Sequence, residues 1–341
     1  MAYRAVHVEG DPLNHFLQNN DAGPFLRVAD VVLRTNNDPK EIFVRLIRAA
    51  TASKWSHSAL VYLISDPNKG FDNTFLIEAK TKGVYISSWR NEVTPYEQFT
   101  VGIKRPKLDW YRETPHEHSR HDSHDPEDVP GIGYLRHVRG MAMDQINGLY
   151  DHITVAELAA LYAERAARRH LGEIPMIANA AGGVAEVFKK WDEKKSEETS
   201  VIQFICSGIV QYSYFEALRR RIMNDFAVPE HKAIAEHNLS NMERVIFRPD
   251  PKGLIREYVR KVQSGELNIS DPAPEDVLDL LKTATPADFN NSTNLEWRYI
   301  VLKGAIWTIE DASDEYESKS AEEEEVLEMI TPEHRSRSKN K

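Results

Sequence analysis

Residues 55–64 read Trp55-Ser-His-Ser-Ala-Leu-Val-Tyr-Leu-Ile64, with a histidine, His57, just before an apolar run. A second run, Phe75-Leu-Ile-Glu-Ala79, carries the carboxylate of Glu78 near its end. Between them, residues 65–70 read Ser-Asp-Pro-Asn-Lys-Gly, which are turn-forming residues. The pattern predicts two paired antiparallel strands at about 58–64 and 74–79.

The register of these strands decides whether His57 and Glu78 meet. If Ile64 faces Phe71, His57 lies directly opposite Glu78 on one face, within cross-strand contact. A carboxylate there accepts the second N–H of the imidazole, fixes its tautomer and stabilises the imidazolium. A slip of one residue would move Glu78 to the other face, and the alternative interpretation is two polar residues at the ends of ordinary strands.

The second candidate site is Cys206, the only cysteine of the chain, in the stretch Gln203-Phe-Ile-Cys-Ser-Gly-Ile-Val-Gln211. The stretch is typical of a helix start, where free backbone N–H groups and the helix dipole favour a thiolate. The backbone N–H of Cys206 could also stabilise an oxyanion. The alternative is an inert buried thiol, the common state of a free cysteine. A thiol, an imidazole and a carboxylate are together the parts of a thiol hydrolase.

Periodicity predicts the remaining elements, and their order indicates an α+β fold. A small antiparallel sheet is expected to pack on the helix that carries Cys206. Residues 297–309 are apolar and indicate a strand or a last buried helix. The other predicted strands are residues 28–33, 83–87 and 99–103, and the predicted helices are residues 39–53, 134–146, 155–171 and 206 to about 221.

Composition divides the chain into a core and two ends. Residues 1–27 read as an N-terminal extension, and 28–310 as a single domain with insertions near 105–131, 155–200 and 225–285. Residues 311–341 are rich in Asp, Glu, Ser and Lys and are predicted to be disordered. Four histidines lie between Thr114 and Pro126, where a metal site is an alternative to the surface loop that we favour. No cofactor or metal is therefore predicted.

Charge and hydropathy exclude several classes of partner. The net charge of −10 disfavours nucleic acid and anionic membrane surfaces as main partners. No stretch reaches the 18 or so apolar residues of a membrane-spanning helix, so no stable membrane insertion is expected. The N-terminus lacks the apolar block of a secretory signal, and a single cysteine suits a reducing compartment. We therefore expect a cytoplasmic protein.

Six blocks of the sequence, in this order, resemble the circularly permuted papain-like hydrolases, the YiiX/YebB-like branch of the NlpC-type cysteine peptidase superfamily. The blocks are Asp30-Val-Val-Leu33, Ser56-His-Ser-Ala-Leu-Val61, Ile77-Glu-Ala79 with Gly83-Val84, Gly148-Leu-Tyr-Asp151, Cys206-Ser-Gly-Ile-Val210 and Thr285-Pro-Ala-Asp-Phe-Asn-Asn-Ser292.

The resemblance implies a permuted papain-like fold with Cys206 as nucleophile, His57 as base and Glu78 as the residue that orients it. It also suggests Tyr150 as a residue of the substrate cleft, and Ser207 beside the nucleophile is predicted to contact substrate. The chain departs from the family in two features. Gly208 replaces an acidic residue two positions after the cysteine, and Asp151 lies 55 residues before Cys206 (206 − 151), farther than usual, so 155–200 is interpreted as an inserted helical lobe.

The expected activity is cleavage of an amide, ester or thioester bond through an acyl-enzyme. The substrate would be a small molecule, a peptide or an acyl conjugate. Two alternatives stay open at this stage. One is a catalytically silent binding or structural protein on the same fold, and the other is a lipid acyltransferase.

Overall fold

The structure is a computed structural model, and it describes twelve strands, eight α-helices and the loops between many of them. The described residues are 2–10, 19–20, 23–24, 26–38, 44, 47–48, 51, 53–64, 73–80, 83–94, 98–114, 131–146, 149–150, 203–204, 206–313, 318 and 320–331. The predicted insertion at 155–200 and the four histidines lie outside these residues. Of the helix predicted at 39–53, residues 44, 47, 48 and 51 are described and helical.

The strands are β1 (Ala2–Val8), β2 (Asn19–Asn20), β3 (Gly23–Pro24), β4 (Val31–Asn36), β5 (His57–Leu63), β6 (Phe75–Lys80), β7 (Gly83–Ser88), β8 (Phe99–Pro106), β9 (Leu149–Tyr150), β10 (Gln203–Phe204), β11 (Leu295–Leu302) and β12 (Ala305–Ala312). The helices are α1 (Trp89–Val93), α2 (Ile132–Met143), α3 (Cys206–Phe226), α4 (Lys232–Ser240), α5 (Leu254–Ser264), α6 (Glu275–Lys282), α7 (Pro286–Asn291) and α8 (Ala321–Ile330). Short 3₁₀ turns occupy Pro229–His231 and Met242–Val245.

Eight strands form one antiparallel sheet in the order β1-β12-β11-β8-β4-β5-β6-β7. The fold is therefore mixed α+β, as predicted, with a larger sheet than expected. Residues 297–309 are strand rather than helix, because β11 and β12 pair as a hairpin with Leu302 opposite Ala305. Lys303 and Gly304 turn this hairpin with positive φ angles of 52° and 83°.

The sheet is buried on both faces. On one face, Leu33, Leu60 and Ile77 join a core that includes Val210 and Phe215 of α3. On the other face, a second core gathers alternate residues of the same strands around Trp89 and Val93 of α1. Because consecutive side chains of a strand point to opposite faces, each strand supplies both cores.

Helix α3 is the central element of the helical layer. Every residue from Cys206 to Arg219 is buried. The hydroxyl of Tyr134 in α2 donates a hydrogen bond of 2.7 Å to the carbonyl of Tyr214. Gln211 joins α3 to the chain after α4, since its amide bonds the backbone of Val245 at 2.9 Å and of Phe247 at 2.7 Å. The segment 225–285, predicted as an insertion, thus forms helices that pack around α3.

The ends of the chain differ from the expectation of an extension and a disordered tail. Strand β1 lies in the segment 1–27 and pairs along its length with β12. Helix α8 lies in the segment 311–341 and buries Val326 and Ile330, four residues apart, while Ser320 caps its first turn. The segment 311–341 is polar on average, so its composition does not reveal the short apolar stripe of α8. Such a stripe is enough for a helix to pack on a sheet. None of the described helices is both long and apolar enough to cross a bilayer.

The register between β5 and β6 differs from the one assumed from the sequence. Leu60 lies opposite Ile77 and Val61 opposite Leu76, with a bulge before Leu63. Extending this pairing sets Ala59, not His57, opposite Glu78, so the assumed register was wrong by two residues. Strand β5 ends at Leu63 and β6 begins only at Phe75, so more residues separate the two strands than a tight turn has. On the His57 side of the bulge, a shift of two residues keeps each side chain on its predicted face, because the period of a strand is two.

Candidate active site

Cys206 is the first residue of α3, and the two strands before it guide the chain to that point. Phe204 of β10 pairs with Tyr150 of β9 in a short parallel ladder, two residues before the cysteine. The thiol is 4% exposed. Because the first turn of a helix has N–H groups without intrahelical partners, an anion on Cys206 is favoured at this position.

His57 is the first residue of β5, and the residues just before it anchor the strand. The backbone N–H of Ser56 donates to the carbonyl of Arg34 at 3.1 Å. The indole N–H of the fully buried Trp55 lies 3.2 Å from both Asn290 Oδ1 and the Met329 carbonyl oxygen. These bonds hold the start of β5 against α7 and α8, which fixes the origin of the His57 side chain.

His57 and Glu78 are in contact although they are not directly opposite. Their faces match, and the diagonal separation lets His57 Nε2 lie 2.6 Å from Glu78 Oε2. The Glu78 side chain is 1% exposed and that of His57 is 15% exposed. Because Glu78 is an acceptor, Nε2 donates the proton in this bond, and Nδ1 is left for Cys206.

The strand that carries His57 is bonded to the helix that carries Cys206. Ser58 Oγ donates to Ser207 Oγ at 2.9 Å, and both residues are fully buried. The backbone of Ser58 also lowers the pKa of Cys206. Ser207 therefore lies inside the strand–helix junction, and its contact with substrate stays a prediction. The side chain of Tyr150 lies outside the described residues, so its role stays a prediction as well.

The three groups shift one another's pKa values in the directions that an ion pair requires. Burial alone would raise the pKa of Cys206, but the hydrogen bond and charge of His57 lower it below its usual value. Burial alone would lower the pKa of His57, but Cys206 and Glu78 together raise it to about 9. Burial would raise the pKa of Glu78, and His57 and Lys80 hold it well below its usual value. The arrangement favours thiolate, imidazolium and carboxylate together.

Three charged residues beside Glu78 were missed in the sequence. Lys80 Nζ lies 2.9 Å from Glu78 Oε1 and also pairs with Glu92, which in turn pairs with Arg34. Lys80 follows Glu78 by two positions, so strand periodicity could have placed it on the same face. Glu92 comes from α1 and Arg34 from β4, and no local pattern connects those residues to the site.

Gly208 is explained by a close contact between two helices. A Cβ atom added to Gly208 would lie 2.0 Å from the carbonyl oxygen of Lys282, the last residue of α6. No side chain larger than hydrogen fits without moving one helix. An acidic side chain, like any other side chain, is therefore excluded sterically at this position.

The described residues include no cluster of three or more His, Cys, Asp or Glu side chains that could hold a metal ion. Comparisons of the chain with protein-family models, with curated proteins and with solved structures find no match.

Proposed function

We propose that this chain is a cysteine hydrolase on a permuted papain-like fold, which cleaves an amide, ester or thioester through an acyl-enzyme. The observation that carries the proposal is the contiguous array of Cys206, His57 and Glu78. The array joins the start of α3 to two strands whose reactive residues lie 149 and 128 residues earlier in the chain (206 − 57 and 206 − 78). The six sequence blocks that resemble the permuted hydrolases support the same assignment.

In the first half of the reaction, the thiolate of Cys206 attacks the acyl carbonyl carbon and a C–S bond forms. The carbonyl electrons move to oxygen, where N–H groups of the first turn of α3 would stabilise the oxyanion. The intermediate then collapses, and the bond to the leaving amine, alcohol or thiol breaks. His57 donates its Nδ1 proton to that leaving group, while Glu78 keeps the ring oriented through Nε2.

In the second half, a water molecule attacks the carbonyl carbon of the thioester. His57 accepts the water proton at Nδ1, the C–S bond breaks, and the acid product leaves. The thiolate and imidazolium pair is then restored. Replacement of water by another nucleophile would make the same site an acyltransferase. The identity of the acceptor, and not the arrangement of the three residues, therefore determines the product.

The proposal is tested by the rate of Cys206 alkylation by iodoacetamide as a function of pH. Because the usual pKa of a thiol is about 8.5, an ordinary cysteine loses reactivity below that pH. The alkylation rate of the wild type is expected to stay constant, at a plateau, well below it. His57→Ala should lose that plateau. His7→Ala is the matched control, because His7 is exposed and lies on edge strand β1.

A substrate screen follows with the same proteins. Incubation with activated acyl esters should add one acyl group to the wild type, detected by mass spectrometry, and none to Cys206→Ala. A thiol that titrates like free cysteine in both the wild type and His57→Ala would contradict the proposal and favour a silent binding protein.

A further inference from the structure

The second oxygen of Glu78 has a partner of its own. While Oε2 bonds His57, Oε1 is buried and receives no hydrogen bond of suitable angle from the described residues. Lys80 Nζ lies 2.9 Å from this oxygen, as an ion pair. A buried carboxylate oxygen without compensation is costly, and His57, the ammonium group of Lys80 and the hydroxyl of Ser87 all favour the ionised form of Glu78.

Lys80 is itself the middle of a chain of alternating charges. The carboxylate of Glu92 accepts from both Lys80 and Arg34. Arg34 Nη1 also donates to the backbone carbonyl of Glu92 at 2.8 Å. Arg34 lies on β4 opposite His57 of β5, so the chain of charges that starts at Glu78 ends beside the histidine that Glu78 contacts.

This set of charges is shielded from solvent. The side chains of Lys80, Arg34 and Glu92 are 26%, 19% and 13% exposed. Tyr85 of β7 covers Lys80, with 5.6 Å between the ammonium nitrogen and the ring centroid. The ring of Phe99 lies 4.6 Å from the Arg34 guanidinium carbon. Charges held in this way interact more strongly than pairs on an open surface.

We infer that Lys80 is a positioning residue of the proposed active site, held in place by Glu92 and Arg34, and that it keeps Glu78 ionised with Oε2 turned towards His57. The inference rests on the proposed function. Lys80 adds a cation to the three reactive groups, so that thiolate, imidazolium, carboxylate and ammonium together carry no net charge.

The direction in which each charge shifts the pKa of Cys206 follows from this balance of charges. Loss of the Lys80 charge makes the surroundings of Cys206 and Glu78 more negative, which opposes formation of the thiolate and raises the pKa of Cys206. Loss of the Glu92 charge has the opposite effect, because Arg34 and Lys80 then face the site without their shared carboxylate. A general loosening of the fold would instead disturb both variants in the same direction.

The test compares Cys206 alkylation by iodoacetamide across pH in the wild type, Lys80→Met, Lys80→Arg and Glu92→Gln. At the pH where the wild-type rate is half of its plateau, Lys80→Met should react about threefold more slowly than the wild type. A slowing of this size is expected when one shielded charge within roughly 10 Å of the thiol is removed. Lys80→Arg should retain the wild-type midpoint. Glu92→Gln should move the midpoint to lower pH.

Two results would overturn the inference. One is a Lys80→Met midpoint equal to that of the wild type, and the other is a shift of Lys80→Met and Glu92→Gln in the same direction. A wild type whose thiol titrates like free cysteine is a different result, because it removes the proposed function itself. Thermal unfolding of each variant, followed by circular dichroism, verifies that the rates are measured on folded protein.

Discussion

The backbone of Gly208 in the first turn of α3 packs directly against the carbonyl group of Lys282 at the end of α6, so that a Cβ atom at Gly208 would lie 2.0 Å from that oxygen. The contact is two residues from Cys206. It fixes the helix start that carries the thiol against the helical layer behind it, and it accounts for the glycine at this position.

Gly208→Ala is expected to lower the free energy of unfolding by about 1–3 kcal/mol, because either α3 or α6 must move to admit the methyl group. Urea denaturation measures the effect. Gly140→Ala in α2 is the matched control, since nothing lies within 4 Å of its added Cβ. That variant should be as stable as the wild type or more stable by up to about 1 kcal/mol. Equal stability of Gly208→Ala and wild type would contradict the close contact.

The pKa values of the site predict a bell-shaped dependence of kcat/KM on pH. The lowered pKa of Cys206 sets the acid limb, on which activity rises as the thiolate forms. The pKa of His57, raised to about 9, sets the alkaline limb, because the imidazolium must protonate the leaving group. Hydrolysis of an activated ester across pH measures both limbs. Activity that keeps rising beyond about pH 9, as a free thiol would give, is the contradicting outcome.

Glu78→Gln should lower kcat by at least about tenfold while KM changes little, because the amide does not stabilise the imidazolium through Nε2. The measurement is steady-state hydrolysis of the same ester. Glu296→Gln serves as the control, since that side chain is 40% exposed and pairs with Arg298 instead. Full activity of Glu78→Gln would remove Glu78 from the mechanism.

Asp30 and Arg105 form a buried bidentate ion pair between β8 and the residue before β4. Arg105 Nε and Nη2 lie 2.9 and 2.8 Å from the two carboxylate oxygens, and the backbone N–H of Arg27 adds a third bond of 2.7 Å. Asp30→Asn should cost about 3 kcal/mol or more, because it leaves the guanidinium charge buried without a counter-charge.

Chemical denaturation measures that loss against Glu310→Gln, which breaks the exposed pair with Arg4. The control should lose no more than about 1 kcal/mol. Similar losses in the two variants would mean that the Asp30–Arg105 pair is solvated rather than buried.

Helix α8 is predicted to stabilise the whole domain. Val326 in its centre is fully buried and the carbonyl of Met329 accepts from Trp55, just before His57. Val326→Ala should lower the free energy of unfolding by about 1–3 kcal/mol through the cavity that it leaves. Glu324→Ala, on the exposed side of the same helix, should cost less than about 1 kcal/mol. If Val326→Ala unfolds like the wild type, α8 does not pack on the domain.

Much of the sheet around the site could be predicted from local pattern. The strands from β4 to β8 were predicted to within a few residues, because alternation and turn residues act over short stretches. The prediction that His57 and Glu78 share a face holds in the structure even though the register was wrong by two, since a shift of two residues preserves side-chain parity. The helix start at Cys206 was likewise a local signal.

Relationships that depend on distant segments were not predictable in this way. The register of β5 and β6 contains a bulge between Val61 and Leu63, which the predicted pairing did not include. The entry of β1 into the sheet and the docking of α8 bury short apolar stripes that average composition conceals.

By itself, the sequence determined which residues can serve as thiol, imidazole and carboxylate, because that follows from residue type. It also determined that His57 and Glu78 lie on the same face of the sheet, because side chains of a strand alternate with a period of two. Only the tertiary structure decided that the three groups meet, that Lys80, Glu92 and Arg34 surround them, and that Gly208 must lack a side chain. These contacts join elements far apart in the chain, and packing of one element on another is what sets their distances.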